Sequence, residues 1–573
     1  MLKKAALPLL SNFMVQWWFK ILAIATFLGI LIFGRIDGLS IYTFYNFAVV
    51  KLNGPQLLSQ SYKDSNFTNI SVNLPKSNQI LDTPSNLSPQ VSSNLLPWIT
   101  VDHEANYTSN LLARWLAPGG EPCKDSSTVG IKIPRLDGNN GNVELLTGDV
   151  HEFVFHTFDN LGLPHCLGGD YFETDLSSER WKARPPIKDL GNGSYSFSLQ
   201  VHPDFAGDYN LTIILLFRHF QGLKLKPERF VFDKVLRAVP IKFLRSASHL
   251  PEIRQCKESD YFKDVWSGRW TRLARNDSCP VSNDGRYRCQ EPSFPCQKPW
   301  CDGALGLLES NGWVYSAHCS FKLFKSEDAW NCLNNRWIFW WGDSNHRDTI
   351  RNILNFILDV HDAADVPRVF DRNITNPNNP SQVVRFTSIF NGHPNDTGNY
   401  EGLNSLINAE YRELLKGYFS HDVVPETIIM NSGLHDGRHW PNISQFVGAA
   451  QYAAAFWAEV KQGVEKRGVE PPEFIYRTTV AAGGYARRLA FNPHKMEAFN
   501  GVMLDKMRQH GALNRVIDDF DMTYPWHFDN RCNDGIHYGR APLKKKWTDG
   551  QIGHQYFVDL MLGHVLINAL CVR

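Results

Sequence analysis

The hydrophobic pattern changes character several times along the chain. An apolar run extends from about Phe13 to Phe33, is uncharged between Ile21 and Gly34, and has Lys3, Lys4 and Lys20 on its N-terminal side. Its length predicts a transmembrane helix over 14–34, with Lys20 snorkelling to the interface. The preceding positive charge predicts a signal anchor with residues 1–13 cytosolic and the remainder lumenal; a cleaved signal peptide with a long leader is the alternative. Residues 35–110 are rich in Ser, Asn, Gln and Pro with little apolar periodicity. Such a segment buries too little surface to fold alone and reads as a stem.

Over 111–245 the period becomes two. The stretches HEFVFHTFD, SYSFSLQVH, YNLTIILLF and LRAVPIKFL each fit a half-buried strand, divided by turns such as that at Gly191 and Gly193. That spacing predicts a β-sandwich. GGDYFETDL at 168–176, then GNGSY at 191–195 and AGDY at 206–209, resemble a filamin-type immunoglobulin repeat, for which a spacer or packing role is the plain reading and glycan binding the alternative. Residues 246–335 carry weak helix and strand signals and predict loops pinned by disulfides. From 336 onward apolar strand runs alternate with helical patterns, starting with the buried run Trp337–Trp341 and ending in a closing helix at 551–570. Alternation of this kind predicts an α/β three-layer domain with a mostly parallel sheet. The expected fold is therefore multidomain: one N-terminal transmembrane helix, an immunoglobulin-like sandwich, and the α/β domain.

Composition adds a compartment. Ten N-x-S/T sequons, at Asn66, Asn69, Asn86, Asn106, Asn192, Asn210, Asn276, Asn373, Asn395 and Asn442, all follow the apolar run, where glycosylation needs them. Of 11 Cys, seven lie between Cys256 and Cys332, as in a disulfide-stapled lumenal segment; Cys123 and Cys166 are a further candidate pair. No paired C-x-x-C motifs call for structural zinc, and no metal is expected. A net charge of +1 gives no pull toward nucleic acid. The 17 Trp and 36 Phe fit either packed cores or flat sugar-binding clefts.

The candidate chemistry sits in two segments. WIFWWGDSNHRDTIRNIL places Ser344 where a buried strand gives way to a helix, at the sheet edge where open α/β folds bind ligands. RCNDGIHYG supplies Asp534 and His537, three residues apart, before the last helix. A serine hydroxyl needs a base to become a nucleophile, histidine has the basicity for it near neutrality, and a carboxylate orients the imidazole. Asp343 fits holding the turn. Arg347 and Arg351 fit a solvated helix face or an anionic substrate contact.

This pairing resembles the SGNH (GDSL-type) hydrolase superfamily and, within it, the PC-esterase group of trichome-birefringence-like glycan O-acetyltransferases and neurexophilin and PC-esterase domain (NXPE) proteins. With the anchor, filamin-like repeat and Cys-rich joint, the order of parts is most similar to the NXPE family. The resemblance implies Ser344 as nucleophile, His537 as base and Asp534 as orienting acid. It also implies an oxyanion hole from Ser344, Gly392 in FNGHPN, and Asn431 in IIMNSGLHDGRHW, although no G-x-N-D block is present. His435 and His439 fit either substrate contacts or ordinary loop histidines. The implied function is glycan O-acetylation through a Ser acyl-enzyme, with no bound cofactor, acetyl-CoA as donor, a glycan such as sialic acid as acceptor, and a single-pass type II location in the Golgi membrane. A carbohydrate O-acetyl esterase shares the same intermediate, and a non-catalytic ligand or adhesion protein is a third reading.

Overall fold

The computed structural model describes residues 98–101, 104–116, 127–137, 143–246, 254–271, 313–360, 366–392, 400–528, 535–539 and 556–572. The expected cytosolic tail (1–13), transmembrane helix (14–34) and most of the stem lie outside these residues. Among the described residues no helix is long and apolar enough to cross a membrane. The architecture is thus corrected to a β-rich N-terminal region followed by a mixed sheet with helices, without a membrane-spanning helix in the described part.

Nine strands build the first region: β1 (Gly130–Lys132), β2 (Val143–Leu146), β3 (His151–Phe158), β4 (Tyr171–Ser178), β5 (Trp181–Ala183), β6 (Lys188–Asp189), β7 (Ser194–Leu199), β8 (Gly207–Phe217) and β9 (Lys234–Leu244). One sheet has the order β1-β3-β7-β6. Alternate residues of β3 and β7 point inward, and cross-strand partners Phe153–Phe197 and Phe155–Tyr195 stack at 5.3 Å. Such cross-strand aromatic pairs fix register as well as burying area. They meet Leu211, Ile213 and Phe172 of the facing sheet in one sandwich core.

That facing sheet corrects the expectation for 246–335. Its order is β11-β10-β5-β4-β8-β9-β2, where β10 (Arg269–Thr271) and β11 (Val314–Ser316) come from the connecting segment. The described part of the segment therefore includes two short strands as well as loops. It extends the sandwich sheet, while its Trp266, Trp270 and Tyr315 pack into the core of the following domain. Disulfides do pin it: Cys256 pairs with Cys319, and Cys332 reaches Cys571 across a separation of 239 residues. Cys166 is also disulfide-bonded, and Cys123 lies outside the described residues.

The second sheet has the order β13-β14-β12-β15-β16-β17, with β12 (Trp337–Gly342), β13 (Val369–Asn376), β14 (Asn379–Phe390), β15 (Thr427–Met430), β16 (Glu473–Arg477) and β17 (Arg515–Ile517). All ladders are parallel except β13–β14, so an antiparallel edge closes a parallel sheet. Strands β12, β15, β16 and β17 are buried nearly throughout, as parallel strands covered on both faces must be. The helices used below are α1 (Ser344–Asn352), α2 (Leu434–His439), α3 (Ile443–Glu465), α4 (Pro493–Gln509) and α5 (Tyr556–Cys571). Trp181, Trp266, Trp270, Trp330, Trp340, Trp341 and Trp457 are among the largest fully buried side chains. These tryptophans fill cores rather than line an open cleft.

The stem boundary at 110 also moves. A helix over Tyr107–Leu116 docks on α4, where Tyr107 lies against Gly501 and the Thr108 N–H donates to Asp505 at 3.4 Å. Of the sequons, Asn106, Asn192, Asn210 and Asn373 are exposed. Asn442 caps α3 by accepting from the Gln445 N–H. Asn66, Asn69, Asn86, Asn276 and Asn395 lie outside the described residues.

Candidate active site

Gly342 ends the central strand β12, and the chain turns directly into α1. Asp343 sits in extended geometry as the helix N-cap, its carboxylate accepting from the Asn345 N–H at 2.9 Å. Capping of this kind fixes the first turn, so Asp343 holds the turn as its position implied. Ser344 is then the first helical residue, half-buried at the carboxyl end of the parallel sheet. Its own N–H is one of the donors a helix start leaves without an intrahelical acceptor.

The second segment arrives at the same point. Nε2 of His537 stands 2.6 Å from Ser344 Oγ, within reach for proton transfer. His537 is buried. Its short loop is held on both sides. Gly535 accepts from the Gly483 N–H at 2.7 Å, and Tyr538 Oη donates to the Ala481 carbonyl at 2.9 Å, tying the loop to the segment after β16. On the other side, the Gly539 carbonyl accepts from Arg351 Nη2 and Asn352 Nδ2 of α1, each at 3.1 Å. Gly535 has φ +84°, and a Cβ there would lie 2.4 Å from the Gly483 oxygen, so only glycine fits. Asp534 lies outside the described residues.

Asp559 of α5 locks this arrangement from beneath. It accepts from Thr349 Oγ1 at 2.5 Å and from Asn352 Nδ2 at 2.7 Å. Burial raises its carboxyl to about 6, with the nearby Arg477 guanidinium opposing the rise. Arg477 is itself paired with Asp519 at 2.7 Å, both 1% exposed. A single carboxylate inside the mostly apolar run YFVDLMLGHVLINALC was the available signal for Asp559 in the sequence.

The expected oxyanion hole is brought together only in part. Gly392 is buried just past β14, and the preceding Asn391 donates its N–H to the Gly342 carbonyl at 2.8 Å, so this strand end runs beside the Ser344 turn. Asn431 also follows its strand closely, its N–H donating to the Trp341 carbonyl at 2.9 Å. Its side chain, however, is engaged elsewhere. Nδ2 donates to the Arg477 carbonyl at 3.1 Å and to Thr479 Oγ1 at 3.2 Å. The Thr479 hydroxyl gives its own proton to the Ser432 carbonyl at 3.0 Å, which fixes the amide orientation. Both N–H groups of the Asn431 side-chain amide are thus spent on these acceptors.

His435 is a buried residue of α2. Burial lowers its imidazole to about 4; Asp343 opposes the shift and His537 adds to it, so both groups lie within electrostatic reach. Its ring packs against Phe390 at 5.2 Å and Tyr400 at 5.1 Å, and the Arg368 guanidinium lies over those same two rings. The His435 imidazole thus sits in a wall of aromatic rings and a guanidinium. Arg347 points its guanidinium to the Val366 carbonyl, and Arg351 holds the His537 loop; neither faces solvent as a helix-surface arginine would. His439 is exposed beside Trp440.

No protein-family model and no curated protein matches the chain. Among solved structures it is similar to the filamin domain of Lin-41, at 12% identity over 21% of this chain and 100% of that one, with a TM-score of 0.15. It is also similar to LAE5, an alpha/beta hydrolase enzyme from the metagenome of Lake Arreo, Spain, at 13% identity over 41% of this chain and 97% of that one, with a TM-score of 0.25. At such scores neither likeness decides what the site does.

Proposed function

We propose that the chain is a serine-dependent O-acyltransferase that moves an acetyl group to a sugar hydroxyl in the secretory lumen. The observation that carries this reading is the contact of Ser344 Oγ with His537 Nε2 at 2.6 Å, at the strand-to-helix turn that opens α1. In the proposed cycle Ser344 attacks the acetyl carbonyl of a thioester donor, acetyl-CoA being the one the NXPE resemblance implies. His537 takes the hydroxyl proton and returns it to the departing thiolate, leaving an acetyl ester on Ser344. A sugar hydroxyl then gives its proton to His537 and attacks that ester, and His537 passes the proton to the departing Ser344 oxygen, which regenerates the serine. Developing negative charge on the carbonyl oxygen is met by backbone N–H groups. The acceptor class, with sialic acid as one instance, rests on the resemblance alone. The disulfides Cys256–Cys319 and Cys332–Cys571 and four exposed sequons support an oxidising, glycosylating compartment.

Hydrolysis is the competing outcome, because Ser344 is half-buried rather than sealed and water can enter. The test offers purified protein acetyl-CoA with candidate glycans, and an acetylated glycan in parallel. Acetyl gain that vanishes in Ser344→Ala supports transfer; acetyl release without gain identifies an esterase; neither activity sinks both readings.

A further inference from the structure

The sandwich is joined to the catalytic loop by a buried polar path. Glu173, on β4, is 0% exposed, and its Oε1 accepts from His527 Nε2 at 2.8 Å. The Nδ1 of His527 is hydrogen-bonded to the Tyr524 carbonyl, so both ring nitrogens face oxygens and the ring cannot swing. Glu173 also pairs with Arg487, whose guanidinium is bound on its other edge by Asp233 of the sandwich, at 2.7 and 2.9 Å. Burial alone would raise the Glu173 carboxyl, but His527 and Arg487 outweigh it and hold it at about 2. A carboxylate so deeply enclosed is costly unless every lone pair is met, and here His527 and Arg487 both come from the catalytic domain.

From His527 the path runs straight to the base. The His527 carbonyl accepts from the Gly484 N–H at 2.7 Å, and the adjacent Gly483 N–H donates to the Gly535 carbonyl at 2.7 Å. A Cβ on Gly483 would lie 2.7 Å from the His527 oxygen, so the two backbones are in direct contact across this glycine pair. Two residues past Gly535 comes His537. Hence three hydrogen bonds connect a sandwich side chain to the loop that presents the imidazole to Ser344.

We infer that Glu173 is a positioning residue for His537, and that the sandwich is a working part of the active site rather than a spacer. This rests on the reading of Ser344 as nucleophile and His537 as base. Displacing the His527 carbonyl shifts the Gly483–Gly484 pair and with it the anchor of Gly535, which moves the imidazole off the serine. An ångström of displacement at a reacting centre costs on the order of 100-fold in rate, so even partial loss of the path is measurable.

The test uses the full-length protein and an alkyl fluorophosphonate, which needs an activated serine but no natural substrate. Ser344 Oγ bonds to phosphorus as fluoride leaves, and His537 takes the proton. Glu173→Leu is expected to lower the maximal labelling rate about tenfold or more with the half-saturating probe concentration unchanged. Glu173→Gln keeps an oxygen for His527 and is expected to recover part of that loss. Glu497→Gln is the control. It removes charge from the same domain interface, where Glu497 meets Arg184 at 2.6 Å and Tyr171 at 3.1 Å and takes no part in the three hydrogen bonds from Glu173 to Gly535, and is expected to label as wild type does. If Glu173→Leu does not fold, Glu173→Gln carries the test by the same split between rate and saturation. Wild-type rates in the Glu173 variants overturn the inference, as does an equal loss in Glu497→Gln. A wild-type protein unlabelled at Ser344 would instead sink the nucleophile itself, and this inference with it.

Discussion

Ser344 Oγ and His537 Nε2 stand 2.6 Å apart although 193 residues of chain separate them. No local sequence preference produces that distance. It follows from a parallel sheet that delivers β12 and the segment after β16 to the same edge, and from a loop stapled between α1 and that segment.

The staple at Gly535 makes the first prediction. Gly535→Ala puts a side chain on a residue with φ +84° and 2.4 Å from the Gly483 oxygen. Left-handed geometry costs a non-glycine residue about 1–2 kcal/mol, which a domain of this size tolerates. The catalytic loop must still move, so serine labelling is expected to fall on the order of 100-fold while the melting temperature shifts by a few degrees at most. Labelling at the wild-type rate would show that the loop does not set the His537 position.

Asn431 makes the second. Its amide is spent on the Arg477 carbonyl and Thr479 hydroxyl, so Asn431→Ala is expected to behave as a core lesion. Two buried hydrogen bonds lost cost about 2 kcal/mol of stability, read by denaturant titration, with labelling of the folded protein reduced less than about tenfold. Removing a true oxyanion donor costs about 100- to 1,000-fold. A loss of that size with stability intact would return Asn431 to the oxyanion hole.

A buried carboxylate pair gives a prediction in pH. Asp518 accepts from the Trp266 N–H at 3.0 Å, and Asp521 accepts from the Gly268 N–H at 2.7 Å and Tyr315 Oη at 2.6 Å, joining the connecting segment to the catalytic domain. Burial, and next the Asp521 carboxylate, push Asp518 up to about 7; burial raises Asp521 to about 6. The folded state therefore keeps protons that the unfolded chain releases above about pH 4. Stability from this pair is present at acid pH and is lost as pH rises toward 7. Asn cannot ionise, so Asp518→Asn is expected to gain on wild type by at least about 1 kcal/mol between pH 5 and pH 8, whatever its offset at pH 5. Parallel melting-temperature curves for the two proteins across that range would refute the assignment.

Much of both the sandwich and the second domain was legible in the sequence because burial leaves a periodic trace. The alternation in HEFVFHTFD and the solid apolar run before Gly342 gave β3 and β12, and the Asp534/His537 spacing pointed to the loop that meets Ser344. Strand β13 escaped because it is an edge, FDRNITN being mostly exposed, so no apolar period marks it. Strands β10 and β11 have three residues each, too few for a period, and the pairing of β10 with β5 is a long-range contact that no local pattern encodes. Asn431 was placed correctly at its strand end, but which acceptor takes its amide is decided by Arg477 and Thr479, distant in sequence. Glu173 and His527 were silent for the same reason, since each looks ordinary until the two domains close on them. The aromatic richness was ambiguous in composition and was resolved by packing.

The most direct test of the account is to trap the acyl-enzyme. Full-length protein is incubated with isotopically labelled acetyl-CoA, quenched in acid and digested, and the peptide containing Ser344 is read by mass spectrometry. The account predicts an added acetyl group on Ser344 in wild type, its absence in Ser344→Ala, and slower acquisition in His537→Ala. Acetyl gain on a glycan with no label on Ser344, or label that persists on the same peptide in Ser344→Ala, would contradict it.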